Sequence, residues 1–228
     1  MPPRLTGLIA AAFTPMQPDC KIDYDSIQML TEHLIEDGVK GLYVCGSTGE
    51  GISMTIDERK RVTEAFVASA AGRVPVIVHV GHNALEEARS LAAHAQQAGA
   101  DCVSAIAPNY FHISDVTDLV ECMNYVASGA TELPFYYYHI PAMTGNGLSM
   151  IEFLRQAGER ISSFAGIKYT SNSLHEYQEC VWLDGGRFDV LFGYDELLLP
   201  ALAVGARGAV GTTYNIAAPL YNRLLAAF

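Results

Sequence analysis

The sequence predicts an α/β fold, a closed (β/α)8 TIM barrel, on three observations. Eight short apolar runs alternate with amphipathic segments along the 228 residues, and repeated strand–helix crossovers build parallel sheets. Runs such as Pro75–Val80 and Gly41–Cys45 are apolar without alternation, the pattern of strands covered on both faces. No GxGxxG follows the first run, which continues as Phe13-Thr14-Pro15. Eight units without that fingerprint favour closure over an open doubly wound sheet.

The strands are expected at Gly7–Phe13, Gly41–Cys45, Pro75–Gly81, Asp101–Ala107, Pro134–Ile140, Phe164–Thr170, Phe188–Gly193 and Arg207–Gly211. The helices between them have recognisable starts. Thr55 with Glu58 reads as a capping box, the hydroxyl accepting from a free amide while the glutamate reaches back. Asn83 with Glu86, Ser149 with Glu152, and Ser173 with Glu176 have the same form. In the second helix Val62, Ala65, Phe66 and Ser69 fall on one stripe. Gly38 and Gly99 sit where helix ends need a left-handed residue. An eighth helix is expected from about Ala218, cut short at Phe228. Residues 1–228 therefore read as one barrel domain.

Composition narrows the function. Half of the residues are hydrophobic and 17% are charged, enough for a large core without staples. Lys plus Arg is 14 against 25 for Asp plus Glu, a net charge of −11. That lacks the footprint of a nucleic-acid or anionic-membrane partner. No apolar run reaches the roughly 18 residues of a membrane span. Cysteines 20, 45, 102, 122 and 180 are odd in number and never spaced CxxC. With no secretory leader at the start, this reads as a cytoplasmic protein with reduced thiols.

In a barrel, chemistry gathers at the C-terminal ends of the strands. The sixth run ends Gly166-Ile167-Lys168-Tyr169-Thr170, and Lys168 is the only charged residue in it. A lysine among apolar neighbours is desolvated, which disfavours the ammonium, and a neutral amine can form a Schiff base. A structural lysine paired with a carboxylate is the competing reading. The fifth run ends with Tyr136, Tyr137 and Tyr138, and alternation sends Tyr136 and Tyr138 to one side and Tyr137 to the other. A phenol at the strand end can move a proton; packing is the bland alternative. Gly46 to Gly51, GSTGEG, offers hydroxyls and glycine-freed amides suited to a carboxylate or phosphate, but it lacks the lysine of a Walker loop, and taken alone it reads equally as a tight turn. His79 and His82 form the only close histidine pair, and their spacing does not set both rings on one face, so no metal is expected. Asp195 and Glu196 follow the seventh strand; such a pair can bind a cation, and adjacent carboxylates also accept hydrogen bonds from sugar hydroxyls.

These pieces together, in this order, resemble the pyruvate-dependent superfamily of N-acetylneuraminate lyase and dihydrodipicolinate synthase. GSTGE, Tyr138-His139-Ile140-Pro141 and Gly166-Ile167-Lys168 carry the superfamily pattern. The stretch Phe135–Gly145, the Gly193–Glu196 block and Gly211–Asn215 are similar to the lyase branch.

The resemblance implies a class I aldolase without metal or organic cofactor. Lys168 would form the imine, Tyr138 would shuttle the C4 hydroxyl proton, and Ser47 and Thr48 would hold the pyruvate-derived carboxylate, Ser47 also touching Tyr138. Thr170, Gly193, Asp195, Glu196 and Thr212 would contact the sugar chain, with Thr212 standing where serine is common. Met143 occupies the position at which synthases carry an arginine for a second carboxylate. The implied substrates are the sialic acid N-acetylneuraminate and pyruvate. The resemblance further implies a homotetramer, with Tyr110 entering a neighbouring subunit's site, and a C-terminal helical region that is absent or truncated here. A sister aldolase for another 2-keto-3-deoxy sugar acid or a hydroxyproline-derived keto acid stays open, as does a non-catalytic sugar-acid binding protein.

Overall fold

The computed structural model describes residues 4–228. The strands are β1 (Gly7–Ala11), β2 (Gly41–Val44), β3 (Val76–His79), β4 (Cys102–Ile106), β5 (Phe135–His139), β6 (Phe164–Tyr169), β7 (Asp189–Phe192) and β8 (Gly208–Gly211). Each pairs in parallel with the next and β8 returns to β1, so the barrel closes. All eight predicted runs are strands, shortened by one to three residues at one or both ends.

The helices are α1 (Ser26–Glu36), α2 (Ile56–Ala70), α3 (Leu85–Ala98), α4 (Val116–Ala127), the single turn α5 (Pro141–Thr144), α6 (Met150–Arg160), α7 (Leu174–Trp182), α8 (Leu198–Ala203) and α9 (Tyr214–Ala227). Thr55 and Glu58 form the complete capping box of α2. Ser149 and Ser173 cap α6 and α7 by accepting from the amides of Glu152 and Glu176. Gly38 and Gly99 take φ of +87° and +85° just past α1 and α3. No helix among the described residues is long and apolar enough to cross a membrane.

Three local expectations are corrected. Asn83 does not cap α3, whose N-cap is Ala84 without a side-chain bond. Its Oδ1 instead accepts from the amides of Asn109 and Tyr110, tying down the loop after β4, because that loop leaves two donors within reach. The buried stripe of α2 is Arg59, Val62, Thr63, Phe66 and Ala70. Val62 and Phe66 fall on it as expected and Ala65 packs half-buried against the core beside it, while Arg59, Thr63 and Ala70 join it and Ser69 is only half-buried. The last helix starts at Tyr214, not Ala218, and breaks at Ala217, where φ is −137°. Pro219 has no amide proton to donate, so the second segment begins just before it.

Alternation along each strand sorts the core in two. Tyr136 and Tyr138 point into the barrel with Ile9, Tyr43, Ile77, Leu191 and Val210. Tyr137 packs outward with Phe153 and the helix layer. In the register of β5 with β6, Tyr138 lies beside Lys168. This pairing carries the phenol and the amine to the same level of the interior.

Candidate active site

Lys168 is 5% exposed. Its Nζ lies 3.8 Å from the centroid of the Tyr138 ring and 4.5 Å from that of Tyr43. Among the described residues it makes no salt bridge, so the structural reading of a carboxylate-paired lysine does not hold. Two π-faces replace the carboxylate. They are attractive to an ammonium yet hold it far less firmly than a buried anion would.

Tyr138 is buried beside that amine. Burial pushes its phenol pKa up, but the Lys168 charge and contacts from Ser47, Lys168 and Thr170 outweigh it and hold the pKa below the ordinary value. A phenol tuned downward next to an amine can take and return a proton. Thr170 Oγ1 is buried without a hydrogen-bond partner of normal geometry, so its capacity is open to a ligand. Gly193 lies against it: a Cβ there would come 1.9 Å from that oxygen, which is why glycine stands at this position.

The Gly46–Gly51 loop follows β2 and is held from several sides. Thr14 Oγ1 donates to the Gly49 carbonyl at 2.7 Å inside the protein. A Cβ at Gly51 would fall 1.9 Å from the Cys45 carbonyl oxygen, so glycine is required. Cys45 and Glu50 take φ of +56° and +55°, left-handed conformations costing about 1–2 kcal/mol each for residues with a Cβ. The His79 ring braces the first of them, with Nδ1 3.1 Å from the Cys45 carbonyl. A carbonyl only accepts, so Nδ1 carries the proton. Burial drives the His79 pKa well below its ordinary value, and the Arg59 and Lys168 charges add to this, so the ring is neutral. The result presents Ser47, exposed, and Thr48, half-buried, with Ser47 in contact with the Tyr138 phenol.

The loop after β8 is built with equal care. Asn215 Nδ2 donates to the carbonyls of Ala11 at 2.7 Å and Thr212 at 2.8 Å. The amide and hydroxyl of Thr213 both donate to Asp195 Oδ2 at 2.7 Å. Thr212 Oγ1 stands 2.6 Å from Thr48 Oγ1. Asp195 thus lies buried beneath the rim with one oxygen committed to Thr213, while Glu196 is exposed. Tyr110 stands apart from this cluster. It is 78% exposed and packs edge-on against Phe111, on the loop held by Asn83.

Several contributors escaped sequence reasoning. Tyr43 faces inward and donates from its hydroxyl to Ser104 Oγ at 3.0 Å, so its ring is fixed over the lysine. Its place two residues before Cys45 in an apolar strand was the available sign. Arg59 is 1% exposed and donates to the carbonyls of Gly81 and His79; nothing in an exposed-looking helix sequence distinguishes it. A cavity of about 550 Å³ opens at the opposite end of the barrel, near Arg4, Tyr136 and Asp189. There the Asp189 carboxylate already accepts from Leu5 N and the Tyr136 hydroxyl, and strand amino ends carry stability rather than chemistry in barrels.

A closed parallel barrel that holds a buried amine with no salt-bridge partner among the described residues, beside a phenol whose pKa is lowered, is the arrangement expected of a class I aldolase. Comparison with known proteins agrees. The model of the Dihydrodipicolinate synthetase family matches residues 4–228, and the chain belongs to that family. It is 44% identical over 227 residues to N-acetylneuraminate lyase B of Xenopus laevis, covering 99% of this chain and 85% of that one. It is 42% identical over 228 residues to the N-acetylneuraminate lyase of Gallus gallus, covering 99% and 74%. The solved N-acetylneuraminate lyase of Aliivibrio salmonicida superposes with a TM-score of 0.97 at 45% identity, covering 99% of this chain and 75% of that one. That of Proteus mirabilis gives 0.97 at 42%, covering 99% and 76%.

Proposed function

We propose that the protein is a carbon–carbon lyase that reversibly cleaves N-acetylneuraminate to N-acetylmannosamine and pyruvate through an imine on Lys168. The observation that carries this reading is the buried Lys168 amine, free of any carboxylate and set against the Tyr138 ring. The relatives that match nearly the whole chain bear the corresponding name.

The Lys168 nitrogen attacks the keto carbon of the open-chain sugar acid, and loss of water gives the protonated imine. Tyr138 takes the proton of the C4 hydroxyl while the C3–C4 bond breaks. The bonding pair flows into the imine, leaving an enamine and releasing the aldehyde. The enamine regains a proton at C3, and water frees pyruvate and the amine. Ser47 and Thr48 hold the carboxylate above Lys168. Thr170, Gly193, Asp195, Glu196 and Thr212 line the side on which the polyhydroxylated tail lies. Asp195 acts partly through Thr213, which it fixes. Met143, rather than a cation, occupies the position that would meet a second carboxylate.

The protein is further proposed to work in the cytoplasm as a homotetramer, with Tyr110 on an exposed rim loop placed to reach a neighbouring subunit. Light scattering of the purified chain tests the assembly. For the chemistry, borohydride added with pyruvate should leave a reduced adduct on Lys168. An unmodified Lys168 peptide after that treatment would rule the mechanism out.

A further inference from the structure

We propose that Thr212 is a positioning residue for the pyruvate carboxylate: it donates its proton to Thr48 and thereby turns the Thr48 hydroxyl toward the ligand. The inference rests on the aldolase reading above and extends it. Thr48 and Thr212 are 164 residues apart, in the loops after β2 and β8, yet their hydroxyl oxygens are 2.6 Å apart. Both loops flank the end of β1 and both are anchored from below. Thr14 holds Gly49, and Asn215 holds the Thr212 carbonyl and β1 together. The contact therefore joins two fixed points.

Proton counting sets its direction. A hydroxyl has one proton to donate and two lone pairs to accept with, whereas a carboxylate only accepts. If Thr48 donates to the carboxylate, the proton shared by the two threonines comes from Thr212. The Thr212 oxygen still has lone pairs free for a hydroxyl of the sugar tail. The arrangement becomes one chain, sugar hydroxyl to Thr212 to Thr48 to carboxylate, in which each bond polarises the next. A β-branched residue restricts the side-chain torsion at this point, so threonine holds its hydroxyl on Thr48 more firmly than serine would. The carboxylate then depends on a side chain it does not touch, and the two halves of the substrate bind cooperatively.

The test is the pyruvate concentration that gives half-maximal borohydride trapping on Lys168, read by mass spectrometry on the full chain. Thr212→Val should raise it about three- to tenfold, the loss expected for one hydrogen bond to a charged group's donor. Thr212→Ala should do the same, which guards against a misfolded valine variant. Thr212→Ser should stay within about twofold of wild type, the hydroxyl being retained. In a Thr48→Val background, Thr212→Val should add nothing further. Wild-type trapping by Thr212→Val and Thr212→Ala, or an undiminished effect in the Thr48→Val background, would overturn the proposal. Absence of trapping in the wild type would overturn the aldolase reading itself, and the proposal with it.

Discussion

The amine of Lys168 lies over the face of the Tyr138 ring, with its Nζ 3.8 Å from the centroid. The two residues are partners in the β5–β6 register, so the contact is set by strand pairing. The amine is close enough to lower the phenol's pKa against the effect of burial.

Replacing Tyr138 with Phe should therefore separate two steps. The ring face over Lys168 remains, so the final extent of pyruvate trapping should be nearly unchanged. Cleavage loses its proton acceptor, and kcat should fall roughly 10²- to 10⁴-fold. Steady-state turnover of N-acetylneuraminate beside borohydride trapping checks the split, and equal loss of both would contradict it.

Thr14 belongs to a motif far from the lysine in sequence, yet its hydroxyl holds the Gly49 carbonyl. Thr14→Val keeps the shape and orphans a buried carbonyl, at a cost of about 1–3 kcal/mol. Urea denaturation should show that loss, and half-maximal trapping should shift to higher pyruvate because Ser47 and Thr48 are less well held. A stable variant with unchanged pyruvate affinity would show that the loop is rigid without Thr14.

Arg59 is buried between α2 and the rim and donates to two carbonyls. Arg59→Met retains the apolar stem but leaves both acceptors unmet. Some cost is recovered because a charge is no longer desolvated, leaving a net loss of about 2–4 kcal/mol. For a chain of this length that lowers the melting temperature by roughly 5–15 °C. Calorimetry measures it.

Stability should fall in acid because buried histidines resist protonation in the folded chain. Burial lowers the His139 pKa from 6.5 to about 4, with Glu176 opposing. As pH drops through that window the unfolded chain takes up a proton that the folded one refuses, so stability is lost from pH 6.5 down to about 4. The shift corresponds to about 3 kcal/mol. His79, lowered by burial and by Arg59 and Lys168, acts with the same sign. Denaturant midpoints between pH 7 and pH 4.5 should fall less steeply for His139→Phe than for wild type.

Local rules read the chain well wherever one segment is self-sufficient. Thr55 caps α2 as its spacing requires, and the alternation in Tyr136, Tyr137 and Tyr138 sorts them between interior and helix layer. The rules failed where a side chain had a distant alternative. Asn83 had the spacing of a cap but was claimed by a loop 26 residues on. Arg59 looked like an exposed helix position until the rim carbonyls above it appeared.

Eight apolar runs, their alternation and the placement of Lys168 and Tyr138 at strand ends are periodic, short-range properties, so they could be read along one dimension. The Thr48–Thr212 contact, the Tyr43 ring over the amine and the grip of Asp195 on Thr213 arise only when the barrel closes. Closure brings the loops after β2 and β8 together across β1, and no spacing within either loop encodes the other's position.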